Sequence, residues 1–168
     1  MALRIILEKG DRTLTKKCRP VAGIDKRLIL LLDDMRDTLL NSGGVGLAGP
    51  QVGVLRRVVL VMDTNLENLP PEEQIVELIN PEIIETEGEQ TGPEGCLSVP
   101  GVFGVVTRPM RVKVRAMDRN GNIFERWGEG LTARAYCHEI DHLEGILFLE
   151  HSTHILTDEE LEAMSSED

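Results

Sequence analysis

The clearest periodicity runs between residues 25 and 44. Leu28, Leu31, Leu32, Met35 and Leu39 recur at the three- and four-residue spacing of one helix face. Asp25 stands where an N-cap belongs, and Gly43-Gly44 ends the run. Asp33, Asp34, Arg36 and Asp37 fall on the other side, which predicts a helix with one buried and one wet face. After Arg111 the period changes to two. Val112, Val114 and Ala116 alternate with Arg111, Lys113 and Arg115, predicting a strand whose cationic face is solvated surface. Asp118-Arg119-Asn120-Gly121 is a tight-turn sequence leading to a partner strand over 123–127. Shorter apolar runs predict strands over 3–7, Val58–Met62, 75–80 and 83–87, the last two broken by Pro81. A polar loop covers 65–73, and residues 43–53 and 94–100 read as compact Gly/Pro-rich segments. A second helix spans 132–144 and stops at Gly145, and Thr157-Asp158-Glu159-Glu160 is a capping box that opens a last short helix. No repeat or linker interrupts the pattern. The elements add up to a single α+β domain.

Bulk properties narrow the class. With 41% hydrophobic and 28% charged residues in 168, the chain has the composition of one soluble globular domain. A net charge of −11 argues against DNA or other nucleic acid as a general partner, and against anionic membrane surfaces. No run approaches the ~20 apolar residues of a membrane span, and the apolar start is too short for a signal peptide. Cys18, Cys96 and Cys137 form no even disulfide framework, so a reduced, cytoplasmic protein is expected.

The chemistry concentrates at His138-Glu139-Ile140-Asp141-His142. On a helix the two imidazoles share a face one turn apart, the geometry that grips one metal ion. Glu139, beside the first, can reach a water on that metal and take its proton. A third protein ligand is needed. Cys137 points away from the His138 side, while Cys18 sits in a basic stretch that would make it reactive if exposed. Cys96, next to Gly95 in a turn-like segment, is favoured over a carboxylate. Two other readings remain at this point. A His-Glu-x-x-His protease would recruit His151 or His154, and a structural site would close its fourth position with Cys137 or Asp141.

Three separated segments carry a resemblance that decides among these. Gly44-Val45-Gly46-Leu47-Ala48-Gly49-Pro50-Gln51, Glu94-Gly95-Cys96-Leu97-Ser98 and His138-Glu139-Ile140-Asp141-His142 resemble, in order and spacing, the signatures of bacterial-type peptide deformylases. The likeness covers about 3–150 of a single 1–168 catalytic domain. It implies antiparallel and mixed sheets packed around a central helix carrying the His pair. It also implies removal of the N-formyl group from new polypeptides that begin with formyl-methionine, releasing formate. Carried over residue by residue, the resemblance makes Cys96, His138 and His142 the metal ligands. A metal-bound water attacks the formyl carbon, with Glu139 as general base and then acid. Gln51 and the Leu97 backbone N–H become oxyanion donors. Val45, Gly46 and Gly95 become backbone partners of a peptide added like a strand, with its methionine side chain in an apolar pocket. Iron(II) is implied in the cell, with zinc, nickel or cobalt able to take the same site. A monomer is expected.

The chain departs from that family at three places. Cys137 stands where Gln is common, and Gly49 where Ala is more frequent. The end is acidic: no Lys or Arg follows Arg134, and 151–168 form a short acidic tail. Such a tail would be repelled by ribosomal RNA, so any transient ribosome contact is expected to avoid the C-terminus.

Overall fold

The computed structural model describes residues 2–165. Helix α1 (Lys26–Ser42) begins at Asp25, whose carboxylate accepts from Leu28 N–H, and ends at Gly43 with φ of 72°. Its apolar stripe is buried as the spacing requires. Asp34 departs from the expected wet face: it is buried and accepts a 3.0 Å hydrogen bond from Arg4. Arg4 also donates its backbone N–H to Thr38, so the first residues are fastened to α1. Residues 3–7 form no strand: Leu3 and Ile5 face solvent, and the segment joins no ladder among the described residues.

The strands form two antiparallel sheets. The larger has the order β1 (Gly46–Ala48), β2 (Val58–Met62), β3 (Ile75–Glu87), β6 (Arg111–Met117), β7 (Ile123–Glu129). The smaller has the order β4 (Gln90–Cys96), β5 (Val99–Arg108), β8 (His154–Ile155). Pro81 does not divide β3. The register instead slips between Ile79 and Glu82, and Asn80 takes a φ of 51°. Its side chain bonds both backbone groups of Val21, at 2.8 and 2.9 Å, which offsets the strain of that conformation. The cationic face of β6 is solvated but not unpaired. Arg111 meets Glu87 and Glu129, and Lys113 meets Glu85 and Glu125.

Helix α2 (Leu131–Leu143) runs between the sheets, packing on β1, β2, β6 and β7 and reaching β5. Ala133, Tyr136, Cys137 and Leu143 complete a core with Val59, Val61, Leu78 and Val114. Gly128 makes this approach possible: a Cβ there would stand 2.5 Å from the Tyr136 ring. Helix α3 (Asp158–Ser165) starts at the expected capping box, with Thr157 Oγ1 accepting from Glu160 N–H and Glu160 Oε1 from Thr157 N–H. The acidic tail residues Glu167 and Asp168 lie outside the described residues. No helix among the described residues is long and apolar enough to cross a membrane.

Candidate active site

One face of α2 carries His138, Glu139 and His142 to the point where β4 turns into β5. Cys96 Sγ and one nitrogen from each of His138 and His142 lie within 4.8 Å of one another. His142 Nε2 is 3.4 Å from the sulfur. Glu139 sits beside both imidazoles, Oε2 3.9 Å from His138 Nε2 and Oε1 4.0 Å from His142 Nε2. The Nε2 atoms and the thiol therefore converge on one point, with a carboxylate at its edge. Glu139 Oε1 and His142 Nδ1 are buried without a hydrogen-bond partner among the described residues. Such groups are costly unless something binds there. One soft sulfur and two imidazole nitrogens are a donor set that fits a divalent transition metal.

The electrostatics fit a cation as well. Burial pushes the Glu139 carboxyl up to about 7, and burial with the nearby His138 pushes the His142 imidazole down to about 3. His142 is then neutral, the form that can ligate. At His138 burial works downward, yet Glu139, Cys96 and Glu94 outweigh it and raise that imidazole well above the usual range. Three potential anions converge on one buried imidazole.

Glu94 was legible only as part of a motif, and its role was missed. Its Oε2 is 2.7 Å from His138 Nδ1, which fixes the ring so that Nε2 faces the cluster. Burial would raise the Glu94 carboxyl, but hydrogen bonds to His138 and Arg108 overcome this and bring it to about 2. Arg108 grips Glu94 with two bonds and Asp141 with a third, and Arg134 adds another to Glu94. Asp141 thus orients Arg108 and lies beside His151 at 3.2 Å; His154 pairs with Glu160. Neither downstream histidine reaches the cluster. Among the described residues, the cluster contains neither Asp141 nor Cys137, whose thiol is buried in the core.

Gln51 and Leu97 flank the sulfur. Gln51 Oε1 accepts from Ala48 N–H at 2.9 Å, so its Nε2 turns to Ser98 Oγ (3.1 Å) and Cys96 Sγ (3.6 Å). Leu97 N–H has no intramolecular acceptor among the described residues. The chain start braces both pieces: Leu7 N–H donates to Gln51 O and Lys9 N–H to Ser98 O. The glycines also have a packing role. A Cβ on Gly46 would stand 2.5 Å from Glu139 Oε2, one on Gly44 2.9 Å from Leu97, and one on Gly95 2.5 Å from Phe103. They make room for the neighbouring side chains. At Gly49 a Cβ would meet the Val54 and Arg56 carbonyls at 2.7 and 2.8 Å, which accounts for glycine there. Val45 O accepts from Met62 N–H. A cavity of about 470 Å³ opens beside the cluster, lined by Val45, Gly46, Gly95, Leu97, Phe103, Leu131 and Ala135 among others.

An α+β fold with a His-Glu-x-x-His helix, a thiol as third donor and a side-chain-sized cavity defines a class of metal-dependent amide hydrolases rather than a usual zinc protease. Comparison with known proteins agrees. The polypeptide deformylase family matches residues 3–157. Peptide deformylase of Caldanaerobacter subterraneus subsp. tengcongensis is 54% identical over 164 residues, 98% of each chain. Among solved structures, peptide deformylase from Legionella pneumophila aligns with a TM-score of 0.82 at 38% identity, covering 98% of this chain and 96% of that one. A class I type b enzyme from Acinetobacter baumannii, solved with Met-Ala-Ser bound, has a TM-score of 0.80 at 36% identity, covering 89% and 98%. The chain belongs to the peptide deformylase family, metal-dependent hydrolases that remove the N-formyl group from nascent polypeptides.

Proposed function

We propose that Cys96, His138 and His142 hold the divalent ion of this deformylase, with iron(II) the ion in the cell and zinc, nickel or cobalt able to replace it. The observation that carries the reading is the convergence of the three donors with Glu139 at their edge. Bound there, the ion supplies Lewis acidity, which polarises the formyl oxygen and lowers the pKa of water.

The chain's own groups do the rest. Glu139 takes the proton from the attacking water and returns it to the departing amine. Its position is held by Gly46, whose missing side chain leaves space for the carboxylate. Gln51 Nε2 and Leu97 N–H donate to the oxygen that becomes anionic when water adds to the formyl carbon. Gln51 suits this because its amide is locked by Ala48 and Ser98. Val45 N–H, Gly46 and Gly95 border the cavity and pair with the substrate backbone, and the first side chain enters the cavity. The Met-Ala-Ser bound to the Acinetobacter relative supports a peptide of this kind as ligand.

The whole chain acts as one monomeric catalytic domain in the cytoplasm, where formylated nascent chains emerge. Any ribosome contact avoids the acidic C-terminus. Anaerobically prepared enzyme is expected to release formate from formyl-Met-Ala-Ser, and Glu139→Ala to abolish turnover with metal still bound. Unchanged formate release in that variant would falsify the role of Glu139.

A further inference from the structure

Beyond the metal-site cluster, Glu139 and Gln51, the side chains lining the cavity are apolar except at Arg134 and its partner Glu94. Helix α2 presents Leu131, Arg134, Ala135 and His138 to the cavity at three- and four-residue intervals. Arg134 therefore lies about one turn, roughly 6 Å, beyond His138 along the helix. Its side chain is only 7% exposed. Nη1 donates to Glu94 Oε1 (2.9 Å) and to the Val106 carbonyl (3.0 Å). Among the described residues nothing accepts from Nε or Nη2. A guanidinium carries five N–H donors, so this buried one keeps several uncommitted. Ala135, beside it in the chain, also lines the cavity and ends at a single methyl.

Charge decides what could accept from them. Glu94 is shared by Arg108 and Arg134, and Arg108 also binds Asp141. Two cations and two anions cancel. The donors are thus on offer without a net positive charge, which favours a neutral acceptor over an anionic side chain.

We propose that Arg134 reads the end of the substrate's first side chain, and that this enzyme also deformylates polypeptides beginning with formyl-methionine sulfoxide. The inference rests on the reading that this cavity takes the first side chain. A thioether sulfur is a weak acceptor, whereas a sulfoxide oxygen is a strong one. A purely hydrocarbon pocket would reject the sulfoxide because its lost water is not replaced. Here Nε or Nη2 replaces it. The reaction is otherwise the same. Water adds to the formyl carbon, the C–N bond breaks, formate leaves, and the amine takes a proton. The sulfoxide is neither oxidised nor reduced.

The test compares kcat/KM for formate release by the metal-loaded enzyme on three peptides: formyl-Met-Ala-Ser, its methionine sulfoxide form and its norleucine form. Wild type is expected to use the sulfoxide within about tenfold of methionine. Arg134→Met should lower the sulfoxide-to-norleucine ratio by about tenfold or more, and Arg134→Lys should restore part of it. A purely structural Arg134, acting through Glu94 on His138, would lower all three substrates by the same factor. That result would overturn the proposal. So would a wild-type enzyme that rejects the sulfoxide by a hundredfold or more relative to norleucine, an outcome that needs no variant. Absence of turnover on formyl-Met-Ala-Ser itself would instead remove the functional reading beneath it.

Discussion

The residue that most sharpens the picture of this site is Glu94, which touches no reacting atom. Its bond to His138 Nδ1 sets the ring, and two arginines keep it ionised. Glu94→Gln should weaken metal binding about 10- to 100-fold, read by competition with a chelator. Affinity equal to wild type would show that the imidazole orients itself. Gly46→Ala tests packing from the other side. Its new methyl would push the Glu139 carboxylate away, so kcat should fall with metal content unchanged. Cys18 would be reactive only if exposed, and the fold does not expose it. It is buried beside Leu143, and burial, with Arg57 opposing and Glu144 assisting, pushes its thiol up to about 11. A raised pKa leaves the thiol protonated at neutral pH, where the nucleophilic thiolate is scarce. Cys18 in the folded protein should therefore resist iodoacetamide at pH 7.5, with labelling rising as pH approaches 11. Rapid alkylation at neutral pH, followed by mass spectrometry, would contradict that.

At the scale of elements, the site is a meeting of three pieces that share no local sequence. Helix α2 brings the imidazoles, the β4–β5 turn brings the thiol, and the short turn after β1 brings Gln51. The chain start straps the last two together through Leu7 and Lys9. Removing residues 2–9 should leave far-ultraviolet circular dichroism near wild type while kcat falls tenfold or more, because Gln51 and Ser98 lose their shared brace. Full activity in the truncated chain would show that the strap is dispensable. The depth of α2 depends on Gly128. Gly128→Ala would drive a methyl into Tyr136 and Thr132 and should cost about 1–3 kcal/mol by denaturant titration.

For the whole molecule, the notable asymmetry is electrostatic. Every Lys and Arg lies between Arg4 and Arg134, and α3 is an exposed acidic helix that follows the β8 pairing with Gly104 and Val105. Deleting the chain beyond residue 157 should leave formate release and ribosome binding unchanged. Selective loss of ribosome binding on deletion would assign the tail the docking role denied to it here.

Much of this was legible before any coordinates. The period of 3.6 in α1, the period of two in β6 and the Asn120-Gly121 turn specify structure locally, so their positions could be read directly. The His pair on α2 follows from helical geometry alone, since four residues return a side chain to the same face. What the pattern could not show is contact between distant segments. β4 and β5 escaped notice because Gly92, Pro93 and Gly95 make a turn-like sequence into a strand through cross-strand pairing. Residues 3–7 read as a strand but found no partner. Asp34 looked like surface until Arg4 buried it. Glu94, forty-four residues from His138, meets it only when the hairpin folds over α2, and Arg134 acquires its open donors at the same meeting. The sequence by itself determined which chemistry was available. The tertiary structure decided which of those groups share one buried volume, because burial and pairing are properties of neighbours in space.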